Sequence, residues 1–132
     1  MADLPATYDV AAGFVPAKPI DAWEHVRDID NWPRIFPGWI ARVEEDDERW
    51  HVTGPRSEKY DFYPRPESEQ RAMDVEVVDE LGSADTLRLR VLDMPGGALV
   101  VVAHGRLSGT SDSAWAQKRD SVAEGLSALS LD

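Results

Sequence analysis

The chain has 132 residues and carries 25 acidic against 14 basic side chains, a formal net charge of −11 at pH 7. This charge repels phosphate backbones and anionic lipid headgroups, so we expect neither nucleic acid nor a membrane as a partner. Cysteine is absent, which excludes disulfides, thiolate catalysis and thiolate metal sites and fits a reducing compartment.

The N-terminal part of the chain predicts one strand and two short helices. The strand covers Tyr8–Val15 and is ended by Pro16. In Ile20–Ile29, apolar residues recur every three or four positions, which is typical of a helix with one buried face. A second short helix or turn covers Asp30–Phe36, with Asp30 as its candidate N-cap.

The middle of the chain predicts six strands, because apolar and polar residues alternate between regularly spaced turn residues. The first of these strands begins at Trp39 and leads into the acidic loop Glu45–Glu48. The second carries Trp50 and Val52. The others are Lys59–Tyr63, which is closed by Pro64 and Pro66, then Arg71–Glu80, Thr86–Asp93 and Ala98–Leu107.

The C-terminal segment predicts a long amphipathic helix, Ala114–Ser130, with Ser113 as its N-cap. One strand, two short helices, six strands and this helix together predict an α+β domain of antiparallel hairpins with helices on one side. The apolar stripe of the last helix is formed by Trp115, Val122, Leu126 and Leu129.

Length and hydropathy predict one cytoplasmic domain that spans residues 1–132. A chain of this size buries about two-thirds of its unfolded surface, enough for one core and a modest internal pocket. Its first residues, Met1–Pro5, lack the basic and apolar regions of a signal peptide. The longest wholly apolar run, Ala98–Ala103, is too short to span a bilayer.

Two segments rich in proline and tryptophan carry a family resemblance. In Val15–Trp23, a strand runs through a proline-bearing turn into a helix with an early tryptophan. Asp28–Pro33 and Phe36–Trp39 follow. The first segment resembles the opening of the SRPBCC (START-like, helix-grip) superfamily. The others are similar to the second-helix segment of its polyketide cyclase/dehydrase-like and aromatase members. Because the element order also agrees, the resemblance covers nearly the whole chain.

The resemblance implies a curved seven-stranded antiparallel sheet that grips the C-terminal helix around a cavity for a hydrophobic or amphipathic small molecule. The strand alternation independently predicts large apolar side chains on the inner face, which suit such a ligand or simply fill a core. The candidate ligand-binding residues are Phe36, Trp39, Trp50, Val52, Phe62, Met73, Val75, Leu87, Leu89, Val91, Val101, Arg119 and Val122.

Histidine supplies one candidate catalytic group. The spacing of His25, His51 and His104 matches no metal-ligand pattern, and nucleotide-binding and serine-hydrolase motifs are lacking, so we expect neither a metal nor a cofactor. The strand phase places His51 outward. His104 lies in an apolar strand; if it points inward, it is a candidate general acid or base. The alternative is a histidine satisfied within the sheet beside Arg106.

Tyr60 is the second catalytic candidate, because a buried tyrosine hydroxyl needs a partner and a ligand can provide one. The alternative is a tyrosine at the rim, half-buried for packing. Among the arginines, Arg88 and Arg90 are expected to face water or to pair with acidic residues of the adjacent strand. Arg119 interrupts the apolar stripe of the last helix and is a candidate for the cavity mouth.

Three functions remain open from the sequence. The first is binding of a hydrophobic or aromatic small molecule, polyketide-like or lipid-like. The second is a polyketide cyclase or aromatase, in which the pocket folds a reactive chain for aldol cyclisation or dehydration while His104 or Tyr60 moves a proton. The third is a quinone or lipid carrier or chaperone similar to coenzyme Q-binding START-like proteins. A homodimer through an exposed sheet edge is also open, although no motif signals it.

Overall fold

The computed structural model describes residues 8–131, which form a seven-stranded antiparallel sheet and three α-helices. Met1–Pro5, on which the expectation about a signal peptide rests, lie outside that range. The strands are β1 (Tyr8–Val15), β2 (Arg42–Asp46), β3 (Arg49–Thr53), β4 (Lys59–Glu67), β5 (Ala72–Asp79), β6 (Ala84–Met94) and β7 (Gly97–Gly105). The helices are α1 (Pro19–Val26), α2 (Trp32–Ile35) and α3 (Asp112–Ser127), with 3₁₀ turns at Ile29–Asn31 and Ser68–Gln70.

The strand order is β1-β7-β6-β5-β4-β3-β2, so the first strand pairs with the last and the others follow in sequence. β1 pairs along its whole length, from Tyr8 opposite Gly105 to Val15 opposite Ala98. The sheet is curved, and α1 and α3 pack on it. The predicted α+β helix-grip architecture is confirmed.

β4 runs through Pro64 and Pro66, although the sequence predicts that these prolines end it. Pro64 lies opposite Val75, and Pro66 lies opposite Met73. On the other side, β3 pairs with β4 only as far as Phe62. Because residues two apart direct their backbone groups to the same side, both proline nitrogens can face this open edge, where no ladder hydrogen bond is lost.

Two helical caps differ from the predicted ones by two residues. Asp28 rather than Asp30 caps the turn before α2, and its Oδ1 accepts the Asp30 N–H at 3.0 Å. Ser111 rather than Ser113 caps α3, and its Oγ accepts the Ala114 N–H at 3.2 Å. Serine and aspartate are both good N-cap residues, so the local sequence does not select one of two neighbouring candidates. The residue at which the helix begins in the folded chain decides which of them forms the cap. The far end of α3 also moves, from the predicted Ser130 to Ser127.

Two glycines bring α3 close to its neighbours. A Cβ atom at Gly13 of β1 would lie 1.8 Å from the carbonyl oxygen of Leu126. A Cβ atom at Gly125 would lie 2.1 Å from the carbonyl oxygen of Ile35. Since both obstacles are backbone atoms, any side chain at these positions would push the helix away. The C-terminal half of α3 is therefore held between β1 and α2.

An aromatic cluster fills the space between α2 and the sheet. The rings of Trp32, Phe36 and Trp39 contact one another, and two of them contact Phe62 of β4, with centroids 5.5 to 6.2 Å apart. All four residues are buried. Trp32 also donates its indole N–H to the carbonyl oxygen of Val26 at 2.8 Å. The segment that carries the family resemblance thus occupies much of the interior itself.

Candidate functional site

An internal cavity of about 30 Å³ lies between the first turns of α3 and the sheet. About one or two water molecules would fill that volume, so it is far smaller than the ligand-sized hollow expected from the sequence. The aromatic cluster accounts for the difference, because its rings take up the room beside the sheet. The side chains that define the cavity are Trp39, Tyr60, Val77, Leu107, Trp115 and Lys118.

Lys118 reaches this cavity from the apolar stripe of α3, three residues after Trp115. Its Nζ donates to the carbonyl oxygen of Gly105 at 3.1 Å and lies 4.6 Å from the centre of the Trp39 ring. Burial lowers the pKa of Lys118 to about 8, against the weaker opposing effect of Asp85. A substantial fraction of the amine is therefore uncharged in mildly alkaline solution.

Asp85 secures the strand end that carries the acceptor of Lys118. The hydrogen-bond ladder between β6 and β7 extends only to the pair Arg88 and Ala103. Beyond that pair, the Asp85 carboxylate accepts the Gly105 N–H at 2.7 Å. Fixing Gly105 in this way keeps its carbonyl oxygen in place for the lysine.

His104 points inward and lies beside the cavity, behind Trp115, with centroids of the two rings 5.4 Å apart. It is only 2% exposed, and neither ring nitrogen has a hydrogen-bond partner within residues 8–131. Its Nε2 lies 3.4 Å from a carboxylate oxygen of Asp9, the residue opposite it on β1. Burial, and then the charge of Lys118, lower the pKa of His104 well below its usual value despite Asp9. The imidazole is therefore neutral at pH 7.

Three side chains at the cavity offer hydrogen-bond donors without a full set of acceptors. The indole Nε1 of Trp115 is buried and has no partner in the described chain. The Tyr60 hydroxyl makes no hydrogen bond to residues 8–131, and burial, followed by Glu58 and Asp79, raises the pKa of Tyr60 to about 12. Lys118 uses its amine for a single hydrogen bond to the protein. The site therefore favours a ligand that carries an acceptor.

A second, open depression of about 660 Å³ adjoins the cavity; we call it the outer groove. It lies between α3 and the segment that follows α2, and it shares Gly38 and Gln117 with the inner cavity. A hydrogen bond from Arg56 to the side chain of Gln117 crosses this junction. The groove is large enough for the body of a small molecule, whereas the inner cavity holds only a functional group. Its apolar side chains are Ile35, Pro37, Ala116 and Ala128, and its polar ones are Arg34, Arg56, Ser113, Gln117, Asp120, Ser121 and Glu124.

Of the predicted site residues, the structure brings Trp39 and Tyr60 together at the inner cavity. Trp39 does so from a turn, because β2 begins only at Arg42 and not at Trp39 as predicted. His104 lies one layer away. The others pack in the buried core: Phe36, Trp50, Val52, Phe62, Met73, Val75, Leu87, Leu89, Val91 and Val122.

The prediction that Val101 faces inward is wrong. Val100 and Val102 are buried, and Val101 between them is half-buried on the opposite face. A run of six apolar residues has no polar partner to mark the phase of the strand, so the sequence could not select the inner set. Arg119 is half-buried, and its guanidinium lies 5.6 Å from the centre of the Trp115 ring, outside the lining of the cavity.

The polar partners predicted on the strands are partly confirmed. His51 faces outward and hydrogen-bonds Asp61 at 2.9 Å and Asp46 at 3.0 Å. Arg90 pairs with Asp74 of the adjacent strand at 2.9 Å. The alternative of a His104 satisfied within the sheet is not met, because neither ring nitrogen has a hydrogen-bond partner in the described part of the chain.

Lys118 and the outer groove were missed from the sequence. Lys118 lies three residues after Trp115 and four before Val122, which places it on the apolar stripe, and a basic residue on such a stripe is a usable signal. The neighbouring Arg119 was selected from the sequence instead. The groove has no comparable signal, because it depends on how α2 meets α3.

Two further observations concern metal binding and membrane-spanning helices. Residues 8–131 contain no group of three or more histidine, aspartate or glutamate side chains placed to hold a metal ion. In the same range, no helix is both long enough and apolar enough to cross a membrane.

The sequence matches no protein-family model and no curated protein sequence. Many solved structures nevertheless share its fold. TTHA0849 from Thermus thermophilus superposes with a TM-score of 0.70 at 12% identity, over 90% of this chain and 91% of that one. A START superfamily protein from Mycobacterium smegmatis gives 0.66 at 13% identity, over 91% and 94%.

A third structure, the Zhui aromatase/cyclase from Streptomyces sp. R1128, gives a TM-score of 0.60 at 17% identity, over 90% of this chain and 81% of that one. Identities this low establish the fold and leave the activity open. Each superposition covers about 90% of this chain, so the likeness extends over nearly the whole fold. The chain therefore has the helix-grip fold, which it shares with these START superfamily and aromatase/cyclase structures.

Proposed function

We propose that this protein binds a hydrophobic or aromatic small molecule between its sheet and α3. The apolar body of the ligand lies in the outer groove, and a polar acceptor enters the inner cavity. The observation that carries this proposal is that Trp115, Tyr60 and Lys118 all bring donors to one cavity, where Trp115 and Tyr60 find no acceptor within residues 8–131 and Lys118 finds only one. Buried donors without acceptors are costly, so a site that keeps them is suited to a ligand that satisfies them.

The shape of the site supports the same assignment. The inner cavity and the outer groove meet at Gly38 and Gln117, so one molecule can occupy both once the Arg56 side chain moves aside. The structural neighbours include an aromatase/cyclase and a START superfamily protein, which is compatible with this assignment. A lipid or quinone carrier has less support, because charged side chains line part of the groove.

Native mass spectrometry of protein purified from its own host tests this proposal, since a co-purifying apolar metabolite is expected. The matched variants are Val77→Phe, which fills the inner cavity, and Val10→Phe, on a side chain that is 66% exposed. We expect Val77→Phe to lower ligand affinity about tenfold or more, equivalent to about 1.4 kcal/mol, and Val10→Phe to leave it unchanged. Equal retention of ligand by both variants would place the ligand elsewhere.

A polyketide cyclase or aromatase is the second candidate, favoured by the meeting of an amine and a phenol at one cavity. The amine of Lys118 and the hydroxyl of Tyr60 are both suited to move a proton during aldol closure or dehydration. His104 does not line the cavity, so it is not assigned that role. With a linear poly-β-ketone as substrate, Tyr60→Phe should lower formation of the cyclised product, and His104→Leu should retain it. The reverse order would move the chemistry to His104.

A further inference from the structure

Lys118 is a half-buried residue whose amine has no ion-pair partner within residues 8–131. Its only hydrogen bond within residues 8–131 goes to the Gly105 carbonyl oxygen. In the same part of the chain, no carboxylate oxygen lies within 4.0 Å of its Nζ. The centres of the Trp39 and Trp115 rings lie 4.6 and 5.6 Å from its Nζ, and Glu58 lines the same cavity. Asp85 acts on Lys118 electrostatically, and the imidazole of His104 is neutral. A permanently charged lysine normally acquires an ion-pair partner when it is buried.

These surroundings favour the free amine. With a pKa of about 8, roughly a quarter of Lys118 is uncharged at pH 7.5, about two hundredfold more than for a lysine at the ordinary value near 10.4. A free amine next to an enclosed cavity is a nucleophile for carbonyl carbon. The oxygen of a carbonyl group is also a hydrogen-bond acceptor, which suits the donors of Tyr60 and Trp115.

We propose that Lys118 condenses reversibly with the carbonyl group of an apolar aldehyde or ketone held at this site, forming an imine. This inference rests on the proposed function, because the groove must first hold the body of the ligand. A C=O group is about the size of one water molecule and fits the 30 Å³ inner cavity. Neither the fold nor the packing of the core requires an amine at this position, whereas imine formation does.

The step balances without any further reactant. The lone pair of Nζ forms the bond to the carbonyl carbon, and the oxygen then leaves as water with the two protons of the amine. Tyr60 donates a hydrogen bond to that oxygen as it departs. The resulting imine is neutral; when its nitrogen takes up a proton from water, the Trp39 ring stabilises that cation as it now stabilises the ammonium. Water entering at Gln117 reverses the reaction.

A neutral carbonyl ligand fits better than a carboxylate. The chain has a net charge of −11, and Glu58 lines the same cavity while Asp85 lies near Lys118. This field opposes the entry of an anion but not of a neutral molecule. A bound carboxylate therefore serves as an alternative outcome that the experiment must separate.

The test is reductive trapping with 2-naphthaldehyde, in which sodium borohydride converts an imine to a stable secondary amine. The primary amines are those of three lysines, Lys18, Lys59 and Lys118, and the α-amino group, and peptide mapping by mass spectrometry separates the adducts of all four. 2-Naphthylmethanol and 2-naphthoate are the matched compounds without a condensing carbonyl. Their binding, and that of the aldehyde before reduction, is followed by quenching of tryptophan fluorescence.

We expect labelling of Lys118 to exceed that of Lys18 and Lys59 about tenfold or more at pH 7.5, because its free-amine fraction is so much larger. Lys118→Met and Lys118→Arg should both lose this adduct, whereas Lys18→Met and Lys59→Met, which lie outside the site, should keep it and bind 2-naphthylmethanol within about threefold of the wild type, equivalent to about 0.65 kcal/mol. The arginine variant keeps the donors and the charge but cannot form an imine. Circular dichroism confirms that each variant is folded.

Two results would overturn the inference in different ways. If the naphthyl compounds bind but the adducts spread evenly over the three lysines, or the carboxylate binds most tightly, imine formation is refuted and the proposed function stands. If none of the three compounds binds at any concentration within its solubility, the outer groove is not a ligand site and both proposals fall. Labelling confined to Lys118 supports both.

Discussion

Replacing Lys118 by methionine should stabilise the protein at pH 7, although it removes a hydrogen bond. The lysine carries its charge into a site where burial disfavours it and no carboxylate lies within ion-pair distance in the described chain. Methionine has a similar length and is readily accommodated among the Trp39 and Trp115 rings. The buried charge, more than the lost contact, decides the sign of the effect.

The magnitude follows from the pKa of Lys118. A fall from 10.5 to about 8 costs on the order of 3 kcal/mol at pH 7, at about 1.4 kcal/mol per unit. Loss of the hydrogen bond to Gly105 and of the contact with Trp39 offsets about 1 to 2 kcal/mol of that gain. We therefore expect Lys118→Met to raise the free energy of unfolding by about 1 to 2 kcal/mol at pH 7.

The pH dependence separates this explanation from simple repacking. Because the folded pKa lies below the unfolded value, the unfolded state binds more protons between pH 8 and 10.5, and the wild type gains stability as the pH rises through that window. The methionine variant lacks this gain. Its advantage should shrink by about 2 to 3 kcal/mol from pH 7 to pH 10, so that the order of stability reverses.

Urea denaturation at pH 7 and pH 10, followed by circular dichroism, measures both effects. Lys59→Met is the matched control, because Lys59 lies on an exposed strand end with a hydrogen bond to Thr53 at 3.2 Å. It should change stability by less than about 0.5 kcal/mol at either pH. A destabilised Lys118→Met whose difference from the wild type is the same at both pH values would refute the reasoning.

Three further predictions concern the frame around the site. Gly13→Ala should destabilise the fold by about 1 to 3 kcal/mol, because its Cβ would strike the Leu126 carbonyl oxygen, whereas Gly109→Ala should be nearly neutral in urea melts, with its Cβ in ordinary contact. Ser111→Ala should cost about 1 kcal/mol and Ser113→Ala much less in the same melts; equal costs would contradict the observed cap. The lowered pKa of His104 means that the unfolded state takes up its proton first, so stability falls as the pH drops below 6.5; His104→Leu should flatten that part of the acid-unfolding profile, and an unchanged profile would show that His104 is not buried neutral.

Local patterns allowed most of the fold to be predicted. β1 has the predicted bounds, and alternation identified the inward residues of β5 and β6, because each has polar neighbours that mark the phase. Where such markers are missing, as around Val101, the inner face could not be chosen. The end of β4 was predicted wrongly because a proline breaks a strand only where a neighbouring strand needs its N–H. Whether β3 reaches Pro64 and Pro66 depends on the whole sheet, so the local sequence does not show it.

The candidate site was harder to predict, because it depends on contacts between distant segments. Trp39 and Tyr60 were identified from their size and polarity. The inner cavity is small because the rings of Trp32, Phe36, Trp39 and Phe62 pack together beside it. No single segment of the sequence indicates that Phe62 contacts Trp32. The role of Lys118 depends on three distant residues, Trp39, Asp85 and Gly105, so only its position on the apolar stripe was visible beforehand.

The tight contacts of Gly13 and Gly125 give α3 a fixed fulcrum near its C-terminal end. Gln117 lies eight residues earlier (125 − 117), about 12 Å along the helix axis. A tilt of about 10° around the fulcrum displaces Gln117 by about 2 Å, enough to separate it from Arg56. A small rotation of α3 about these two glycine contacts would therefore open the passage between the outer groove and the inner cavity, and the packing around the glycines would change little.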